Sequence, residues 1–387
     1  MTITNDIRYI GVNDHDIDLF EGQYIVPEGM AYNSYVIIDE KIAVMDTVSA
    51  DFGEEWLANL ENVLAGRKPD YLIIHHMEPD HSANIDKFIS AYPEAAVVGN
   101  AKTFEMIDQF FGRSLCKNKL AVKNGDTLSL GRHELTFLFA PMVHWPEVMM
   151  SYDGADKALF SADAFGKFGA LDCQDKEWDC EARRYYMGIV GKYGMQVQAV
   201  LKKAAALDIR TICPLHGPVL TDNLEAYLGL YDTWSAYRPE KEGVLVAYAS
   251  VYGHTRQAAL QLADRLREQG TPVEVLDLAR CDRTEATAKA FCYDRLVLAS
   301  VTYNGDVFPP MKDFLLHLTE RSYRNRRVAL IENGSWAPTS ARGMQKLLEP
   351  LNWETAADTV TLRSALRQGQ QEDLERMAMQ LAESVKA

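Results

Sequence analysis

Tyr71-Leu72-Ile73-Ile74-His75-His76-Met77-Glu78-Pro79-Asp80-His81 is an apolar run of strand length that stops abruptly in four potential metal ligands, His76, Glu78, Asp80 and His81. No packing rule requires polar residues at that spacing, so the ligands stand where a buried strand surfaces. Imidazole and carboxylate together suit borderline and hard divalent metals, and ligands crowded this tightly can serve two ions. His75 is set apart, because in a strand its side chain points opposite to that of His76.

Working outward, residues 34–46 read as two short strands joined by a charged turn, followed by a helix from Phe52 to Leu64 with Trp56, Leu57, Leu60 and Leu64 at helical spacing. After the ligand-bearing strand come a helix near 85–91 and a strand at 95–99. From Leu120 to Phe160 short strands are punctuated by Asn124-Gly125-Asp126, Gly131-Arg132 and Asp153-Gly154, which predicts hairpins and a largely antiparallel sheet. His144 follows the apolar run 137–143, Asp163 follows 158–162, and His216 follows the run 209–215. Four strand ends thus deliver seven potential ligands. An isolated histidine or aspartate at a strand end is usually a hydrogen-bonding residue; so many together argue for a metal site. The reading assigns His76, Glu78 and His144 to one ion, Asp80, His81 and His216 to a second, and Asp163 as a carboxylate bridging both. His15, His133 and His317 are left out, and no catalytic residue beyond the ligands is assigned.

A chain of 387 residues exceeds the size at which one core usually stops growing, so two domains are expected. Its net charge of −15 argues against nucleic acid or an anionic membrane surface as partner. The beginning, Met1-Thr2-Ile3-Thr4-Asn5-Asp6, lacks a basic start and an apolar core, and no stretch is long enough to span a bilayer, so a cytoplasmic protein is expected. Six cysteines occur without a C-x-x-C pair, which fits reduced thiols and excludes a built-in rubredoxin module within this sequence.

The segment 237–242 is polar, carries Pro239 and reads as a linker, dividing the chain into domains 1–240 and 243–387. Beyond it the grammar changes. A strand at 243–249, a helix at 255–268, strands at 273–278, 296–299 and 328–331, and a last helix at 372–386 alternate as βαβ units, which predicts an α/β doubly wound parallel sheet. Ser250-Val251-Tyr252-Gly253-His254-Thr255 joins the first strand to the first helix, where hydroxyls and amides at a helix N-terminus bind phosphate without a basic residue. Two further loops, 300–306 and 332–337, lie at the carboxyl ends of later strands. No G-x-G-x-x-G follows any strand, so a nicotinamide nucleotide is not expected.

Taken together, these motifs resemble the flavodiiron proteins, and the resemblance covers essentially the whole chain. It implies a metallo-β-lactamase-like αββα sandwich followed by a flavodoxin-like sheet. Hydrolytic relatives carry H-x-H-x-D-H; here the second histidine is Glu78, as in the flavodiiron branch. Three carboxylates among the ligands make a harder site suited to iron. The resemblance further implies FMN, held by Ser250, Tyr252, Gly253, His254 and Thr255 at the phosphate and by Thr302, Tyr303, Asn304, Gly305, Gly334, Ser335 and Trp336 around the isoalloxazine. The third of these loops departs from the commoner tyrosine-glycine-tryptophan form. The implied activity is reduction of O2 to water, of NO to nitrous oxide, or both, with electrons from a small carrier such as rubredoxin, in a head-to-tail homodimer or a dimer of dimers. The rival reading is a dinuclear zinc hydrolase with an accessory flavodoxin domain; Glu78 speaks against it.

Overall fold

The computed structural model describes residues 2–173 and 178–383; the end of the expected last helix, including Val385, lies outside the described residues. The chain forms two compact units, 1–232 and 233–387.

In the first unit, one sheet runs in the order Ile7–Tyr9, Tyr35–Ile38, Ile42–Met45, Tyr71–Ile73, Ala96–Gly99 and Lys119–Ala121, and another in the order Thr127–Ser129, Glu134–Phe139, Met149–Asp153, Ala158–Phe160 and Thr211–Cys213. The period-two alternation of side chains puts Tyr35, Ile37, Met45, Ile73 and Val98 of the first against Phe137, Met149, Phe160 and Cys213 of the second in one core. The intervening Val36, Val44, Leu72 and Val97 are buried as well. The first sheet is therefore apolar on both faces, which is why 71–74 reads as an unbroken apolar run.

Two expectations need correction. Leu120 does not open the antiparallel region: Lys119–Ala121 pairs in parallel with Ala96–Gly99 at the edge of the first sheet. Asn124-Gly125-Asp126 accordingly carries the chain from one sheet to the other instead of closing a hairpin. Gly125 has φ 89°, as the turn chemistry demands, but a tight turn does not dictate which sheet the next strand joins. The strands before His144 and His216 are also shorter than their apolar runs, ending at Phe139 and Cys213.

His133, outside the ligand set, ties the edges of this unit together. It is fully buried, with Nδ1 3.0 Å from Asp153 Oδ2 and Nε2 3.2 Å from Asp6 Oδ2; its amide donates to Asp39, and Arg132 pairs with Asp6 and Asp156. Burial disfavours charge on the imidazole, but the hydrogen bonds to Asp153 and Asp6 outweigh it and hold the pKa above the ordinary 6.5. Stability from this group is therefore complete below the unfolded value and lost as pH rises through the raised folded one. The unfolding-midpoint gap between wild type and His133→Gln is expected to narrow on raising pH through that window; a pH-independent gap would mean that His133 acts only as a neutral packing group.

In the second unit a parallel sheet runs in the order Val273–Asp277, Lys241–Ala249, Tyr293–Tyr303 and Arg326–Asn333, with Trp353–Thr355 and Val360–Leu362 both paired to the last of these. The helix His254–Glu268 buries Ala258, Ala259, Leu262, Ala263 and Leu266 in one core with Leu374, Met377, Ala378 and Leu381 of the final helix Gln368–Glu383 and with Val244 and Val246 of the sheet. The strand order reverses between Lys241–Ala249 and Tyr293–Tyr303, so the loops after these strands diverge and leave a crevice between them.

Residues 233–240 belong to this unit. The buried Arg326 guanidinium donates to the carbonyls of Tyr237 at 2.6 Å and Tyr293 at 2.8 Å, and Trp234 Nε1 donates to Glu240 at 2.7 Å. A fragment beginning at Thr233 is thus expected to fold and take up FMN, whereas one beginning at Gly243 loses the Tyr237 carbonyl as one of the acceptors of Arg326 and should be less stable toward denaturant by roughly 1–3 kcal/mol. Equal stability of the two fragments would discount the anchor.

Candidate functional site

The four strand ends of the first unit converge. Glu78 precedes a helical turn, Pro79–Ser82, with Pro79 at its first position, where its missing N–H costs nothing. That turn carries Asp80 and His81; the sequence reading had no helix there. His144 and Asp163 stand on turns whose neighbours Met142 (φ 64°), Ala162 (φ 50°) and Phe165 (φ 67°) adopt the left-handed region, a strain typical of functional sites.

All seven expected ligands come together, in two sets that share Asp163. In the first, His144 Nε2 lies 3.0 Å from Glu78 Oε2 and 3.1 Å from Asp163 Oδ2, and His76 Nε2 lies 3.2 Å from Glu78 Oε2 and 3.3 Å from His144 Nε2. In the second, His81 Nε2 lies 3.4 Å from Asp80 Oδ2, 3.2 Å from Asp163 Oδ1 and 3.1 Å from His216 Nε2, which is itself 3.3 Å from Asp80 Oδ2. The two oxygens of Asp163 thus face different sets. Donors about 2.1 Å from a common ion in tetrahedral array sit roughly 3.4 Å apart, so these separations suit ligands around an ion. Among the described residues the buried oxygens of Asp80 and Asp163 find no hydrogen-bond partner, which a cation would remedy.

Partners outside the two sets orient the imidazoles. His76 Nδ1 lies 2.8 Å from Glu147 Oε1, which also accepts the Met77 amide, and His216 Nδ1 lies 2.8 Å from the Ala31 carbonyl. Each bond leaves Nε2 facing the site. Asp46 Oδ1 accepts the amides of His75 and His76, and Thr47 holds the His81 carbonyl. His75 turns away from the ligand sets, its ring between Asp46 Oδ2 at 2.6 Å and Ser151 Oγ at 2.8 Å. Sequence reasoning missed Glu147 and Asp46; Glu147 lies three positions after His144, but nothing local marks it as the partner of His76.

Electrostatics favour a cation. Burial opposes charge on His76, His81 and His144, yet Asp163, Glu78 and Asp80 hold all three above the ordinary imidazole value, His144 at about 9. Burial likewise opposes charge on Asp163, but the surrounding histidines keep it well below the usual carboxylate range. A dication entering this field displaces those protons. Tyr185, whose ring centroid lies 5.5 Å from that of His216, is fully buried, its hydroxyl finds no partner among the described residues, and burial raises its pKa so that it stays a proton donor.

In the second unit a cavity of about 400 Å³ opens at the crevice. It is lined by Ser250, Tyr252, His254, Thr255, Thr302, Tyr303, Asn304, Gly305, Gly334, Ser335 and Trp336. Gly253 does not line it; at φ 95° it shapes the turn, donating its amide to Ser250 Oγ at 3.1 Å. Asn333, within the expected loop 332–337, also lines the cavity, as do Thr339 and Ser364, which were not anticipated. Thr302 Oγ1 accepts the amides of Thr339 and Ser340, and Asn333 and Ser364 bond each other, fastening loops far apart in sequence. Tyr252 and Trp336 are 92% and 87% exposed, so the rim is aromatic and open to solvent. The amides at the start of the helix His254–Glu268, free of intrahelical partners, fit a phosphate.

Residues 30–217 match the ODP family beta lactamase and residues 245–387 a flavodoxin domain. A nitric oxide reductase of Moorella thermoacetica is 29% identical over 90% of this chain and 88% of its own length. A diflavin flavoprotein of Synechocystis is 32% identical over 74% of the chain, which spans only 50% of that relative. Among solved structures, rubredoxin oxygen:oxidoreductase from Desulfovibrio gigas superposes with a TM-score of 0.92 at 25% identity, covering 100% of this chain and 98% of that one.

Proposed function

The chain belongs to the flavodiiron family, and from that premise we propose that it is an FMN- and diiron-dependent oxidoreductase that reduces O2 to water, NO to nitrous oxide, or both. The observation that carries this reading is the shared carboxylate, Asp163, with one oxygen toward each of two histidine-carboxylate sets. His76, Glu78 and His144 would hold one iron, Asp80, His81 and His216 the other, and Asp163 both; this chemistry falls in residues 1–240. FMN would occupy the cavity in residues 243–387, its phosphate on Ser250, Tyr252, Gly253, His254 and Thr255, its ring among Thr302, Tyr303, Asn304, Gly305, Gly334, Ser335 and Trp336.

FMN held there would supply electrons singly or in pairs, and iron held by the seven side chains would supply the redox centre for reducing the diatomic. The chain contributes orientation and protons. Glu147 and the Ala31 carbonyl keep His76 and His216 aimed inward, and Tyr185 presents a protonated phenol beside His216. Glu78 replaces the imidazole of the hydrolases with an anion, which favours iron over zinc and weighs against the hydrolytic alternative. The test combines metal analysis with a visible spectrum and stopped-flow turnover of the reduced protein against each gas. About two irons and one FMN per chain with gas consumption is the expected outcome; zinc without gas consumption would return the site to the hydrolases.

The electron donor is a small carrier of the rubredoxin type and the assembly a head-to-tail homodimer, alone or paired. What supports the dimer is the exposed apolar rim of the flavin cavity, Val251, Tyr252, Tyr303 and Trp336, too concentrated for an idle monomer surface. A protein doubly changed at Thr255 and Asn304, mixed with an Asp163 variant, should regain part of the activity that each lacks. Stable mixed dimers without activity would mean that electrons pass within one chain. A cytoplasmic location is in keeping with the lack, among the described residues, of a helix long and apolar enough to cross a membrane.

A further inference from the structure

Trp145 directly follows His144, and its indole meets two ligand imidazoles edge-on, with ring centroids 5.1 Å from His76 and 5.9 Å from His144. On another side it stacks nearly parallel, 5° between planes, with Phe110, which is 50% exposed at the end of the helix Ala101–Phe111. Both imidazoles are buried, whereas Trp145 itself is partly exposed. Tyr185, in ring contact with the other ligand set at His216, is sealed in the interior. Indole and phenol are among the side chains most readily oxidised by one electron. Of these two rings against the ligands, only Trp145 reaches solvent.

We propose that Trp145 is a protective electron outlet for the metal centre, called on when O2 is taken up but the flavin cannot supply all the electrons its reduction needs. The inference rests on the O2-reducing reading above. The indole gives up one electron to the oxidising centre and its N–H proton to water, leaving a neutral indolyl radical. A thiol in solution returns a hydrogen atom to that radical, and two thiyl radicals combine as a disulfide. Without thiol, O2 adds to a ring carbon of the radical, the resulting peroxyl takes one electron from the limited reductant and a proton from water, and the hydroperoxide rearranges to a ring-opened formylkynurenine that keeps both oxygen atoms. The ligand histidines are spared in either case.

The experiment uses the iron- and FMN-loaded full chain, turned over in excess O2 with a reductant supply too small to complete the reaction, and reads peptide masses and retained iron. Wild type should gain oxygen on the peptide bearing Trp145, and added thiol should suppress that gain. Trp145→Phe, which keeps a ring but cannot be oxidised readily, should lose iron several-fold faster, with oxygen appearing on peptides bearing His76 and His144. Trp145→Tyr should restore the wild-type lifetime, because a phenol can serve as donor where a merely space-filling role would be met equally by phenylalanine. Equal lifetimes for Trp145→Phe and wild type, or a Trp145→Tyr as fragile as Trp145→Phe, would overturn the proposal. Should Trp145→Phe fail to hold iron at the outset, the thiol dependence of the wild-type modification decides: unmodified Trp145 beside oxidised ligands overturns it. O2 consumption under full electron supply is measured first; a wild type that consumes none overturns the parent reading and this inference with it, whereas normal consumption with unchanged lifetimes overturns this inference alone.

Discussion

Replacing Asp163 by alanine is expected to release both metal ions together and bring turnover of either gas to background. Asp163 Oδ2 faces His76 and His144, Oδ1 faces His81 and His216, and the carboxylate is 1% exposed, so water cannot readily substitute for it. Its loss also removes a shared negative charge that holds His76, His81 and His144 ready for a cation. Metal content per chain after desalting is the direct measure. Retention of one ion at full occupancy would show that Asp163 serves a single position. Asp163→Asn, which keeps the volume and one carbonyl oxygen, separates the bridge from simple packing: one ion should then be held weakly, not two held tightly.

The second large effect is expected at Glu78. Glu78→His places a neutral imidazole beside His76 and His144, and the first set becomes all-nitrogen apart from Asp163. Zinc gains on such a set while a site for ferric iron loses an anionic donor. With both metals supplied equally, the ratio of zinc to iron should rise by on the order of tenfold or more, and O2 turnover should fall with the iron. Glu78 is 13% exposed and its carboxylate touches both imidazoles, so the larger ring can be accommodated toward solvent. Unchanged iron content and unchanged turnover would remove Glu78 from the ligand set. Smaller changes are expected around the sets: Glu147→Ala frees the His76 ring to rotate and should cost about 10–100-fold in metal affinity.

The run 71–81 was decisive because it breaks local rules. A strand buried on both faces is uniformly apolar, so polar residues at its end demand a reason, and those at His144, Asp163 and His216 repeat the demand. Their grouping into two sets was legible because His76, Glu78 and the pair Asp80–His81 hang on one short segment whose geometry is local. The loops that line the cavity of the second unit were legible for a related reason: a doubly wound sheet binds at the ends of its strands, and strand ends can be counted along a sequence. The grammar of turns was weaker. Asn124-Gly125-Asp126 reads as a tight turn and is one, but its neighbours across hydrogen bonds are chosen by distant strands.

What the sequence by itself determined is therefore the alternation of strand and helix beyond residue 243 and the strand ends of the first unit that carry the seven candidate donors, since these follow from period, burial and residue chemistry along the chain, whereas the helices Pro79–Ser82 and Ala101–Phe111 were not read from it. Only the tertiary structure decided that the two oxygens of Asp163 part company, that Glu147 backs His76 across 71 residues, that Asp46 clamps the backbone at His75 and His76, and that Thr339 and Ser364 line the cavity of the second unit. These contacts join segments with no shared periodicity. Their partners are selected by where the packed sheets bring backbones together, and a polar side chain carries no mark in sequence of the distant group that will satisfy it.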